Sequence, residues 1–151
     1  MILGKPLAQD LSLRPIKYQW AYDLYNQAVA NTWFPHEITL GEDLEDWKKM
    51  TDDERHAVTF LLSFFNPTEL IVNRSLALGV YPYVKAPEAH LYLAKQMWEE
   101  ANHCMAFEYV LETLPVDRQA IFSQSCNFCK SLTKLKFISR YLPDCVLREN
   151  I

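Results

Sequence analysis

The sequence predicts an all-α helical bundle, on three observations. Half of the 151 residues are hydrophobic yet only three are glycine, so turns are scarce and long helices are favoured. Apolar residues recur at spacings of three and four, the period of a helix face. Prolines and capping residues punctuate the chain at wide intervals, and no alternating pattern competes as a strand.

The first helix is expected from about Ile16 to Asn31, after Pro15, with Trp20, Leu24 and Val29 near one face. The segment WFPHEITLGEDLEDWKKM, broken by Pro35 and Gly41, reads as irregular. A second helix starts at Thr51, whose hydroxyl can cap it while Glu54, three residues on, completes a capping box. The third runs from near Pro87 to about Leu114, and the fourth from Pro115 and Asp117 to about Tyr141, before Pro143. The second and third would each exceed 25 residues, roughly 40 Å at 1.5 Å rise per residue. Helices that long, joined by short connections, pack as an antiparallel bundle.

Composition excludes several functions. The net charge of −4, with Lys and Arg scattered, argues against nucleic-acid binding. No run of 18 or more apolar residues offers a membrane span. The start, MILGKPLAQDLSLRP, lacks a signal peptide's apolar centre, so a cytoplasmic location is expected. Cys104, Cys126, Cys129 and Cys145 are then expected to stay reduced. Cys126 and Cys129 form a CxxC, but no second CxxC accompanies it and the pair lies in a helical pattern. Two buried or half-buried thiols are the reading.

Ionisable residues interrupt the apolar stripes. In the second helix the inward row is Val58, Leu61, Phe65, Glu69, Val72 and Leu76; in the third it is Leu93, Met97, Glu100, His103, Phe107, Leu111 and Leu114. A buried carboxylate is costly unless it is neutralised, paired or bound to a metal. Glu100-Ala101-Asn102-His103 is an ExxH, whose ends project from one helix face and can reach one metal. Hard anionic oxygens suit iron and manganese in their higher oxidation states. Each residue also has an ordinary explanation. Asn66 can cap a new helix with Pro67 at its first position and Glu69 closing the box. Glu100 can belong, with Glu99, to a solvated acidic patch, and His103 can be a core histidine bonded to a backbone carbonyl. One metal site replaces all three explanations.

These residues resemble a known family. PIKYQWAYDLYNQAVANTWFPHEITLGEDLEDWKKM is similar to the N-terminal segment of ribonucleotide reductase small subunits. FFNPTELIVNRSLALGV and PEAHLYLAKQMWEEANHCMAFEYVLETL resemble that family's first two metal-ligand helices. The resemblance, from Pro15 to about Phe122, implies a ferritin-like bundle with half of a dimetal framework. That framework takes one Glu from each of two helices and an ExxH from each of two others. It implies that Glu69, Glu100 and His103 are metal ligands, with Glu100 placed to bridge. It implies that Trp33 lies on the radical-transfer route to the large subunit; without the family, Trp33 reads as a packing aromatic. Most members carry Asp where Glu69 stands, and a radical-storing tyrosine where Phe107 stands. Phenylalanine has no hydroxyl to lose, so the pattern is similar to the tyrosine-radical-free subclass with a mixed manganese–iron centre. Two irons are the other metal content the family implies, with oxygen for activation in either case.

After His103 no further histidine occurs, so a second ExxH is absent. The chain is therefore expected to be one piece of a split or truncated small subunit, completed by a second half. Pairing with a second copy, as a homodimer sharing ligands, would equally supply four glutamates and two histidines. The function implied is part of the radical-generating subunit of ribonucleoside-diphosphate reductase, an oxidoreductase that is inactive as this chain alone. The competing readings are an R2-like ligand-binding oxidase with a manganese–iron centre, and a truncated, non-catalytic helical interaction domain.

Overall fold

The structure, a computed structural model, describes residues 2–4 and 12–132, with side chains as far as 127. Its elements are helical: α1 (Gln19–Ala30), a 3-10 turn (Pro35–Glu37), α2 (Gly41–Lys49), α3 (Asp52–Ser75), a π-helical turn (Leu76–Val80), a 3-10 turn (Tyr81–Tyr83), α4 (Pro87–Thr113) and α5 (Arg118–Leu132). Strand pairing among the described residues is limited to one isolated antiparallel bridge, Leu3 to Val84. The all-α expectation is met. No helix among the described residues is long and apolar enough to cross a membrane.

Two expectations for residues 16–49 need correction. The stretch read as irregular holds α2, because Pro35 and Gly41 open helical turns instead of breaking them. Glu42 and Asp43 in the first turn of α2, and Lys48 and Lys49 in the last, match the helix dipole, while Trp47 buries the inner face. Trp20, Leu24 and Val29 do not form the covered face of α1: all three are exposed, and Ala21 is the residue of α1 that is buried. The far end of the fourth expected helix, to Tyr141, lies outside the described residues.

The start of α3 follows local chemistry. Thr51 Oγ1 accepts from the Glu54 amide at 3.3 Å, and Glu54 Oε2 accepts from the Thr51 amide at 2.8 Å. This reciprocal box satisfies amides the helix leaves without partners. The Thr51 amide, and then the Thr51 hydroxyl donating to the same oxygen at 2.8 Å, hold the Glu54 carboxyl below its ordinary value.

The chain divides into two compact units. The first comprises Met1–Trp33 and Val72–Asn102. Ala21, Val84 and Ala86 are buried in it, and the Gly4 amide bonds the Tyr83 carbonyl at 2.9 Å while that of Lys85 bonds Ile2 at 2.7 Å. Glu88, fully buried near the start of α4, accepts from the Lys17 and Tyr18 amides at 2.7 and 3.3 Å and so holds the start of α1. Burial raises the Glu88 carboxyl, but bonds from its own amide and those of Lys17 and Tyr18, with the Lys17 charge, outweigh this and lower it. A carboxyl lowered on folding contributes stability above its unfolded value and loses it as pH falls through the folded one. Acidification below about pH 4.5, the unperturbed value, should therefore free the start of α1, read as faster exchange of the Lys17 and Tyr18 amides. Glu88→Gln should exchange fast at neutral pH and lose the acid transition; an unchanged acid transition would refute the assignment.

The second unit comprises Phe34–Ile71 and His103–Ile151. Its core is Leu62, Leu111 and Ile121, with Val58, Phe107, Val110 and Val116 packed around them. The inward row expected for the second helix is displaced: Leu62 is 7% exposed, whereas Leu61 and Phe65 remain 49% and 39% exposed. The apolar face of α3 is wide, and period alone does not say which part a neighbour covers.

Candidate metal centre

Contacts within the second unit set the register of α3 against α4. Leu62 meets Leu111, Asn66 Nδ2 donates to Glu108 Oε1 at 2.8 Å, and Glu69 Oε2 lies 3.4 Å from His103 Nδ1. Partner numbers fall on α4 as they rise on α3, so the helices run antiparallel. In the first unit, Asn73 Nδ2 donates to the Met97 carbonyl at 2.6 Å.

Glu100 precedes His103 by three residues on unbroken α4, one helical turn, and both face the same way. The result is a cluster: one ligand atom each from Glu69, Glu100 and His103, all within 4.8 Å of one another. Ligand atoms around one metal with bonds of about 2.1 Å stand at most about 4.2 Å apart. Small side-chain rotations would close the difference. Two carboxylates and an imidazole are a donor set that suits iron or manganese, so the residues fit the expected group. Glu69 keeps 15% of its side chain exposed and His103 39%, leaving the cluster open on one side.

The ordinary explanations for these residues fare differently. Asn66 does not start a new helix, because α3 continues through Pro67. Glu99 is not part of a solvated patch; it is largely covered and pairs with Lys95, which lies over the Trp98 ring. His103 faces a carboxylate, the side chain of Glu69.

Phe107, one turn beyond His103, stacks on Phe65 with centroids 5.9 Å apart and planes 4° from parallel. It packs against the Leu62, Leu111 and Ile121 cluster. Trp33 follows α1, and its carbonyl accepts from the buried Asn102 amide nitrogen at 3.0 Å. Asn102 stands between Glu100 and His103 and had drawn no attention in the sequence; a polar residue inside an ExxH was the available signal.

Of the cysteines, Cys104 faces Asn66 Oδ1 at 3.8 Å. Burial, then the Glu108 and Glu69 carboxylates, push its thiol up, which keeps it protonated and a poor metal ligand. Cys126 is buried and free. The side chain of Cys129, and all of Cys145, lie outside the described residues.

Comparison with known proteins bears on the same residues. The family model described as ribonucleotide reductase, small chain, matches residues 10–149. The chain is 37% identical over 113 residues to the ribonucleoside-diphosphate reductase subunit beta of Chlamydia pneumoniae, covering 74% of this chain and 33% of that protein. The chain thus spans about a third of that relative's length. Among solved structures, the fold resembles the ribonucleotide reductase R2 subunit from Clostridium botulinum, with TM-score 0.71 and 23% identity over 93% of this chain and 49% of that one. It also resembles the R2-like ligand-binding oxidase from Sulfolobus acidocaldarius, with TM-score 0.61 and 22% identity over 91% of this chain and 54% of that one. A matched span that takes in both helices of the Glu69, Glu100 and His103 cluster, joined to a shared ferritin-like fold, places this chain in the ribonucleotide reductase small-chain family.

Proposed function

We propose that this chain supplies half of the ligand set of a dimetal carboxylate centre in the small subunit of ribonucleoside-diphosphate reductase. The observation that carries the reading is the convergence of Glu69, Glu100 and His103 within 4.8 Å. Glu69 and Glu100 contribute anionic oxygens that offset metal charge, and His103 contributes a neutral ring nitrogen. When bound, a manganese–iron or di-iron pair activated by oxygen supplies the oxidising equivalent that the large subunit consumes. Phe107 keeps the surroundings apolar and offers no hydroxyl to oxidise, which favours the manganese–iron content. Asn102 ties the Trp33 backbone to the turn that carries Glu100 and His103, consistent with a transfer route through Trp33.

The described residues supply this half of the set, and a further Glu and a further ExxH would complete it. Leu61, Phe65 and Glu69 are spaced four residues apart on one α3 face, and both apolar members are exposed. A partner covering them would also close the open side of the cluster. The test is the metal content of purified chain loaded with manganese and iron and then desalted. Retention of about one metal per chain would support ligands shared between copies. Retention only with a complementing polypeptide that carries a further Glu and ExxH would support the split subunit, and activity should then require the large subunit. No retention under either condition would refute the metal reading.

A further inference from the structure

Pro67 lies inside α3, two residues before Glu69. Proline has no amide N–H, so the carbonyl four residues earlier, that of Ser63, loses its helix partner. Ser63 is 3% exposed, out of reach of solvent, where an unpaired acceptor is costly. The missing donor comes from another helix: Ser125 Oγ, on α5 and 4% exposed, donates to the Ser63 carbonyl at 2.6 Å.

Neighbouring groups on the same turn are also held. Thr68 Oγ1 donates to the Phe64 carbonyl at 2.5 Å, and Asn66 bridges Glu108 and Cys104. Side chains thus brace the turn from which Glu69 projects, and at the Ser63 carbonyl one of them takes the place of a helix amide.

We infer that Ser125 is a positioning residue for Glu69, its hydroxyl standing in for the amide that Pro67 lacks. The inference rests on the metal reading above. A residue that orients a ligand's backbone acts as outer-shell partners do, and losing such a partner lowers metal affinity 10- to 100-fold. If Ser125 were only an anchor for α5, its loss would not depend on what occupies position 67.

Cobalt(II) titration of the full chain, followed by affinity and the visible ligand-field spectrum, separates these roles. Ser125→Ala should weaken cobalt binding about 10- to 100-fold and alter the spectrum. Pro67→Ala restores an amide to position 67, so adding Ser125→Ala in that background should change affinity less than about threefold, well short of the loss in the proline chain. Should Ser125→Ala fail to fold while Pro67→Ala/Ser125→Ala folds and binds cobalt, the inference is supported. It is overturned by unchanged cobalt binding in Ser125→Ala, by equal losses in both backgrounds, or by failure of the double variant to fold. A wild-type chain that binds no cobalt, either alone or with the complementing polypeptide, overturns the metal reading itself, and this inference with it.

Discussion

Glu100→Ala is expected to erase the thermal stabilisation that manganese(II) or cobalt(II) gives the wild-type chain. A ligand that binds the folded state alone adds about 2.7 kcal/mol at a hundredfold excess over its Kd. For a chain of 151 residues, that is a rise of roughly 5–10 °C in Tm. The variant should melt at the same temperature with and without metal. Its metal-free Tm should stay within a few degrees of wild type, because Glu100 lies outside the Leu62, Leu111 and Ile121 core.

The two comparisons together discriminate between roles. A purely structural Glu100 would lower the metal-free Tm and leave the metal-induced rise intact. A ligand does the reverse. Glu100→Gln keeps the volume and the hydrogen-bonding reach but removes the anionic oxygen, so it should lose most of the metal effect as well. An equal rise in wild type and both variants would remove Glu100 from the site.

The candidate site was more legible in the sequence than the packing around it. Glu69, Glu100 and His103 stood out because charge on an apolar stripe is expensive, and helix geometry alone aligns residues three apart. The capping box at Thr51 and Glu54 was legible because both its bonds are local. α2 was hidden by Pro35 and Gly41, residues that begin helical turns as readily as they end them. The buried side of α3 was misplaced by one residue, from Leu61 to Leu62, because a wide apolar face fits either register until the neighbours are known. The Ser125 to Ser63 bond joins residues 62 positions apart. Pro67 announces that a donor is needed, but nothing in the sequence names which one.

That displaced face leads to a second large effect, in which neighbouring leucines should behave oppositely. Leu62→Ala should destabilise the chain by about 2–5 kcal/mol, the usual range for a buried leucine whose surroundings cannot collapse into the gap. Leu62 is enclosed by Leu111 and Ile121, with Val58 and Phe107 beside them, so the lost methyl groups leave a real void. Against a typical total of roughly 5–15 kcal/mol, such a loss should move the urea midpoint far enough to populate unfolded chain. Leu61→Ala, at a position half open to solvent, should change the midpoint by no more than about 1 kcal/mol. Similar losses for both would mean that the core extends over the exposed face of α3 and that the face is not available to a partner. With the completing half of the bundle present, the contrast should extend to assembly. Leu61→Ala should then weaken association while leaving the isolated chain's stability intact, because the face it shares with Phe65 and Glu69 would be buried only in the complex. Leu62→Ala should lower stability with or without the partner, since its neighbours belong to this chain.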